Sequence, residues 1–172
     1  DVSSLLYGGV ELRIEPGMPI TGSGEVKSWF TEIQLIVCWE IGQERLTRDY
    51  IDNPNWMEKI SNAGKESVSK LLNNWGPNSW PQLLEESEKF VLFSGMGEEM
   101  DGNCLREKVN NCIRKLELYN KISVHLCMVG TSLVILPQDI NRQPTHSQWS
   151  QLSEHLHQQS IDNRLANLTR NS

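Results

Sequence analysis

The chain has 172 residues, a net charge of −6 and a pI of about 5.2. Apolar residues make up 38% and charged residues 22% of it, as in an ordinary globular protein. This composition excludes a collagen, a disulfide-rich miniprotein and a mostly disordered chain. The longest apolar run, residues 35–39, has only the length of a strand, so we expect no membrane-spanning helix.

Charge is distributed unevenly along the chain. Residues 1–102 contain 17 acidic and 8 basic residues, whereas residues 103–172 contain 5 and 8. A protein that neutralises many phosphates is usually basic, so the overall charge argues against a dedicated nucleic-acid binder. The asymmetry has two interpretations, an uneven solvated surface or charge-complementary docking with a partner or a second copy.

The first third of the chain is predicted to form strands. Apolar and polar residues alternate over 10–14, and a longer strand is predicted over 29–39, with one face deeply buried and the other partly so. A turn at 41–44 then leads into a short strand over 45–50.

The middle of the chain is predicted to begin with a long helix. Asp52 or Asn53 can cap it and Pro54 suits its first turn. Apolar residues repeat at i+4 as far as Leu72, and Gly64 is expected to allow close packing within this stripe. We expect its apolar members to be core, and they are Trp56, Ile60, Val68 and Leu72.

Two shorter elements are predicted next. A capping box over 79–82 starts a second helix that ends near Glu88, and a strand follows over 90–93. The acidic residues of this region are interpreted as solvated charge, and they are Glu85, Glu86, Glu88, Glu98 and Glu99.

The last third is predicted to contain helix, hairpin and helix. The helix covers 103–119, the hairpin joins 122–128 to 133–136, and the final helix runs from Thr145 to about Arg164. A capping box at Thr145 and Gln148 starts this final helix. Because it is polar, two alternatives remain for it, packing by its first half or reaching a partner chain.

This order of elements predicts an α+β fold with a mainly antiparallel sheet and helices packed on it. We expect an N-terminal arm over 1–9, a single domain over 10–166 and a C-terminal tail over 167–172. The cysteines are separated and lie in apolar settings, which predicts free thiols in a reducing intracellular compartment, such as the cytoplasm or the nucleus.

Motifs of catalysis are sparse. The two G-x-G elements lack the rest of a phosphate-binding loop, and the histidines near the C-terminus lack metal-ligand spacing, so we expect no cofactor and no metal. Either Ser123 or Cys127 shares one face of a strand with His125, as a nucleophile and a base would, but no acid that orients the histidine is evident. An enzyme of unrecognised type therefore stays an alternative.

Two sets of residues are candidates for binding. Large apolar residues on a loop or on a terminal arm can anchor an interface, and these are Leu5, Leu6, Tyr7, Trp75 and Trp80. Basic residues on and after the third helix could contact nucleic acid or another charged surface, and these are Arg106, Lys108, Arg114, Lys115 and Lys121.

In element order the chain resembles the matrix proteins of rhabdoviruses, with the plant-infecting members closest in size. The resemblance rests on the strand at Gly24-Glu25-Val26-Lys27, on the Trp56–Leu72 helix and on the final strand–helix region. It implies a non-enzymatic viral structural protein that self-associates and binds nucleocapsid or the surface of a membrane. The alternative is an RNA-associated viral accessory or regulatory protein that uses the basic helix over 103–121.

Overall fold

A computed structural model describes residues 10–15, 24–39, 52–95, 102–127 and 132–168. The strands in these ranges are β1 (Val10–Arg13), β2 (Val26–Trp29), β3 (Ile33–Trp39), β4 (Ile122–Cys127), β5 (Ser132–Pro137) and β6 (Asp162–Leu168). The helices are α1 (Pro54–Leu72), α2 (Trp80–Ser94), α3 (Gly102–Lys115) and α4 (His146–Gln158). The predicted α+β class is confirmed, and the predicted strand over 45–50 lies outside the described residues.

The main sheet has four antiparallel strands in the order β4-β5-β3-β6, and β1 pairs with β2 in a separate two-stranded sheet. β3 is central, because Ile36 pairs with Ile135 of β5 on one side and with Leu165 of β6 on the other. Successive side chains of a strand point to opposite faces. Ile36 and Cys38 therefore lie on one face of β3, and Ile33 lies on the other.

The first face of the sheet holds the larger core, under α3 and α4. Its residues from the helices include Val109, Trp149, Leu152 and Leu156, all with no exposed surface. The predicted capping box of α4 is confirmed, since Thr145 Oγ1 accepts from Gln148 N and Gln148 Oε1 accepts from Thr145 N. The apolar residues of α4 are buried from Trp149 to Leu156, so the helix packs over more than the first half that the sequence predicted.

The second face of the sheet carries α2 and the small sheet, and α1 packs on α2. Ile33 packs there with Trp29, Trp80 and Leu84 in a second, smaller cluster. The main sheet thus has helices on both faces, and its central strand is covered on both sides. This burial explains why β3 reads as a nearly continuous apolar run.

The predicted single strand over 29–39 is two strands. β2 ends at Trp29 and β3 begins at Ile33, and the two belong to different sheets. Phe30, between them, is 47% exposed. Tryptophan at both ends made the segment read as one element, although only its second part alternates in burial.

The start of α1 is confirmed, because Asn53 Oδ1 accepts hydrogen bonds from the backbone N–H groups of Asn55 and Trp56. The predicted core stripe is confirmed only in part, because Trp56 and Ile60 pack with Phe90 and Leu126 whereas Val68 and Leu72 belong to no buried cluster of the residues that the structure describes. The fully buried residues of α1 are Ala63 and Leu71, whereas its four predicted members are only half-buried. Each i+4 step turns about 40° around a helix, so a long i+4 series leaves the packed face.

The predicted strand over 90–93 is also wrong, because α2 continues to Ser94 and ends at Gly95 with φ 73°. A short apolar run cannot be assigned to strand or helix by periodicity alone. The predicted capping box is absent too, since the hydroxyl of Ser79 donates to Gly76 O at 2.7 Å instead of capping α2.

The final helix ends at Gln158 rather than near residue 164, and the chain returns as β6 along β3. Asn167 and Leu168, assigned to the tail from sequence, pair in this strand with Gln34 and Ile33. Asn163 anchors β6 to α4 through hydrogen bonds between its side chain and Ser153. Polar composition concealed this strand, although Leu165 packs against the larger core and Leu168 against the smaller cluster.

Cys38, Cys104 and Cys112 are free thiols. Cys38 and Cys112 are buried in the larger core, whereas Cys104 is exposed. Burial, with a smaller contribution from the nearby Cys112, raises the pKa of Cys38 to about 12.

Replacing Gly64 by Ala should stabilise the protein by up to about 1 kcal/mol, because Gly is the poorer helix former. A Cβ at this position would lie 3.8 Å from Phe90 Cε2, an ordinary contact, so the expected need for a glycine is not met. Gly95→Ala should destabilise, because its φ of +73° is strained for alanine. Urea denaturation measures both, and equal effects in the two variants would contradict this account.

Leu152→Ala should lower the free energy of unfolding by about 2–5 kcal/mol, because Leu152 has no exposed surface. Leu72→Ala makes the same chemical change at a half-buried site of α1 and should cost less than half as much. Denaturant melts of the pair decide the facing of α1, and a larger loss for Leu72 would restore the predicted stripe.

Candidate functional site

An apolar surface lies where the start of α1 meets the end of α2. Half-buried Trp56 and Ile60 of α1 cluster there with Phe90 and Leu126. Beyond this cluster Met57 is 41%, Leu92 68% and Phe93 56% exposed. We call these three exposed residues the apolar end. Large apolar side chains exposed together are typical of surfaces that bind another protein.

The predicted tryptophan interface is corrected by the structure. Trp80 is only 3% exposed, and its Nε1 donates to Pro137 O at 2.8 Å, so it is core. Trp75 is half-buried and donates from Nε1 to Lys27 O. Both contact Trp29 edge-on, each with ring centroids 6.1 Å apart. The three rings therefore join the loop, the small sheet and the main sheet, and Trp80 is not available to a partner.

The other predicted interface, the N-terminal arm with Leu5, Leu6 and Tyr7, lies outside the described residues. Its role therefore stays a prediction.

A polar chain of side chains crosses from the sheet to two helices. His125 Nε2 lies 2.8 Å from Ser123 Oγ, and His125 Nδ1 lies 3.0 Å from Glu88 Oε1 on α2. The second contact is close but lacks the alignment of a hydrogen bond. Arg106 of α3 closes the chain, with its Nη1 donating to Glu88 Oε2 at 2.7 Å.

The sequence found Ser123 and His125 but missed Glu88, the acid beside the histidine. Glu88 is separated from them by more than thirty residues, and its acidic neighbours made it look solvated. Helical spacing from Leu84, which faces the sheet, is the signal that could have placed it at the sheet side of α2. Glu86 is likewise buried, at 3% exposure, with Lys89 Nζ 3.0 Å from its carboxylate.

A serine, a histidine and a carboxylate in this order form the triad of many nucleophilic enzymes. The surroundings of these three side chains favour a structural role instead. His125 is only 3% exposed, and Arg106 already pairs with the carboxylate of Glu88. Burial opposes ionisation of Glu88, yet its interactions with His125 and Arg106 outweigh it and hold its pKa below the ordinary value of 4.5. The ion pair of Glu88 and Arg106 joins α2 to α3, and the contact of Glu88 with buried His125 joins α2 to β4.

The five basic residues predicted to make contacts lie in different surroundings. Arg106 pairs with Glu88, and Lys121 Nζ donates to Gln148 Oε1 at 3.3 Å. The other three, Lys108, Arg114 and Lys115, line one open depression of about 550 Å³. Asn111, Cys112 and Gln159 complete its lining, and we call this site the basic depression.

Within the described ranges no cluster of metal-ligating side chains is found. In the same part of the chain no helix is long and apolar enough to cross a membrane.

No family model and no curated protein sequence matches this chain. In fold the chain is similar to a homoserine kinase from Cytophaga hutchinsonii ATCC 33406, with a TM-score of 0.50 and 12% sequence identity. The likeness covers 99% of this chain and 51% of that one, so the chain spans about half the length of the enzyme. At this identity the likeness shows a shared fold alone.

The pairing of Glu88 should make stability depend on pH. Its folded pKa is lowered, so its contribution is present above the ordinary value of 4.5 and is lost as the pH falls through the lower folded value. Glu88→Gln should cost about 0.5–1 kcal/mol at neutral pH, the range of a partly solvated ion pair, and should lose less stability on acidification.

Denaturant melts between about pH 3 and pH 7 measure this effect, which is the range over which such a carboxyl titrates. Glu58→Gln makes the same charge change at an exposed position of α1 and serves as the control. A Glu88→Gln variant with the acid sensitivity of the wild type would show that the contact does not affect stability.

Proposed function

We propose that the chain is a non-enzymatic assembly protein that acts by binding a second copy of itself through the apolar end. The observation that carries this proposal is the exposure of Leu92, Phe93 and Met57 at the junction of two helices. Burying such side chains against another protein is favourable by about 25 cal/mol for each Å² of apolar surface. The resemblance to matrix proteins adds nucleocapsid or a membrane surface as further partners.

The charge distribution favours a second copy as the occupant. The acidic excess lies in residues 1–102 and the basic excess in residues 103–172, so two copies can place unlike charges opposite each other. Contacts between identical chains are also the commonest form of assembly in soluble proteins. The proposal includes a reducing intracellular compartment, which the free, buried thiols of Cys38 and Cys112 support.

Sedimentation velocity over a range of concentrations tests this proposal. The average mass of the wild type should rise with concentration, and Phe93→Ser should reduce this rise because it removes apolar contact area. Tyr119→Ser is the matched control, since Tyr119 is equally exposed at 56% but follows α3.

Thermal melts of the three proteins should agree, because neither side chain is buried. A wild type that stays monomeric at all concentrations would overturn the proposal. So would equal self-association of the two variants, since the apolar end would then have no particular role.

A second candidate is that the chain is itself a kinase of the homoserine kinase kind, built on about half the length of that enzyme. It is favoured by the likeness in fold, which extends over nearly the whole chain and half of that enzyme.

Release of ADP from ATP and Mg²⁺, with and without homoserine, tests this candidate on the full chain. Homoserine-dependent release would support it and would count against the non-enzymatic proposal. Absence of ADP release would overturn the kinase candidate for this chain. The sedimentation result would then decide the assembly proposal by itself.

A further inference from the structure

We infer that the basic depression binds a small ligand that carries two or more adjoining phosphate groups. Three of its six lining residues are cations, two carry side-chain amides, and none of these described residues carries a carboxylate. In a chain with a net charge of −6 this is an unusual concentration of positive charge. This inference goes beyond the proposed assembly function and does not depend on it.

The guanidinium of Arg114 is held in position by its own helix. Its Nε donates to Asn110 O at 3.3 Å, and its Nη2 donates to Asn111 Oδ1 at 2.8 Å. A guanidinium has more N–H donors than these two bonds use. An arginine fixed in this way loses little side-chain entropy when it binds an oxyanion.

The same contact fixes the orientation of the side-chain amide of Asn111. Its oxygen accepts from Arg114, so the amide NH₂ is the part of this exposed side chain that remains to meet a ligand. Asn111 therefore contributes donors to the depression. A phosphate oxygen accepts such hydrogen bonds, whereas a cationic or purely apolar ligand does not.

The spacing of the cations favours more than one phosphate. Lys108 and Lys115 are seven residues apart on α3, which corresponds to about 10 Å along a helix. Two or more linked phosphates can contact both cations without drawing the two side chains together, so this spacing favours them over a single phosphate. Gln159, which follows α4, adds an amide from the second helix.

The probe for this site is inorganic pyrophosphate, titrated into the full chain by calorimetry at about 0.1 M salt, where charges are screened beyond about 10 Å. Binding should be stronger than that of sulfate at equal ionic strength, and it should weaken as salt is added. Asn111→Asp should weaken pyrophosphate binding by about tenfold or more, because it places a carboxylate beside the phosphates and engages Arg114 directly.

Asn62→Asp on α1 is the matched control, because it makes the same change of charge at an exposed helical site. It should leave the affinity within about twofold of the wild type, since charges farther apart than about 10 Å are largely screened. A second pair, Lys115→Gln against Lys65→Gln, repeats the comparison without adding a carboxylate. Melting curves confirm that all four variants fold.

A uridine octanucleotide distinguishes a small ligand from the backbone of RNA. The proposal expects saturating pyrophosphate to displace any oligonucleotide that binds. An oligonucleotide that binds and is not displaced would overturn it in favour of nucleic acid. Pyrophosphate binding no stronger than that of sulfate, or an equal loss in Asn111→Asp and Asn62→Asp, would also overturn it.

Discussion

The pairing of β3 between β5 and β6 is the constraint on which the rest of the structure depends. Its residues pair with β6 along the whole strand and with β5 over its second half, so their backbone groups are satisfied in the middle of the sheet. With both edges paired, both faces can be covered by helices. Ile36 and Cys38 then support α3 and α4, while Ile33 supports the cluster around Trp80.

The sequence predicted those elements whose periodicity agrees with their packing. α3 and the β4–β5 hairpin have clear apolar repeats, and α4 has a capping box that starts it correctly. Prediction from the sequence was wrong where the local pattern and the tertiary contacts favour different elements. Residues 90–93 are apolar enough for a strand but continue a helix, and β6 is polar enough for a helix end but completes a sheet. Contacts distant in sequence decide both cases.

The candidate sites show the same division. Lys108, Arg114 and Lys115 share a helix, so sequence could group them, and the structure adds Gln159 from α4. The sequence grouped Trp75 and Trp80 as an interface. In the structure both rings pack against Trp29, which lies about fifty residues earlier in the chain. Met57 and Phe93 belong to helix ends that lie near each other because α1 and α2 pack side by side, which no local pattern shows.

The buried thiol of Cys38 has a kinetic consequence. With a pKa near 12 it carries almost no thiolate at neutral pH, and with no exposed surface it offers nothing to a reagent in solution. Its neighbours in the sheet must separate before it can react. In an excess of a thiol reagent, the rate at which Cys38 is modified is therefore set by the rate at which the central strand opens. Exposed Cys104 is modified directly in the native state.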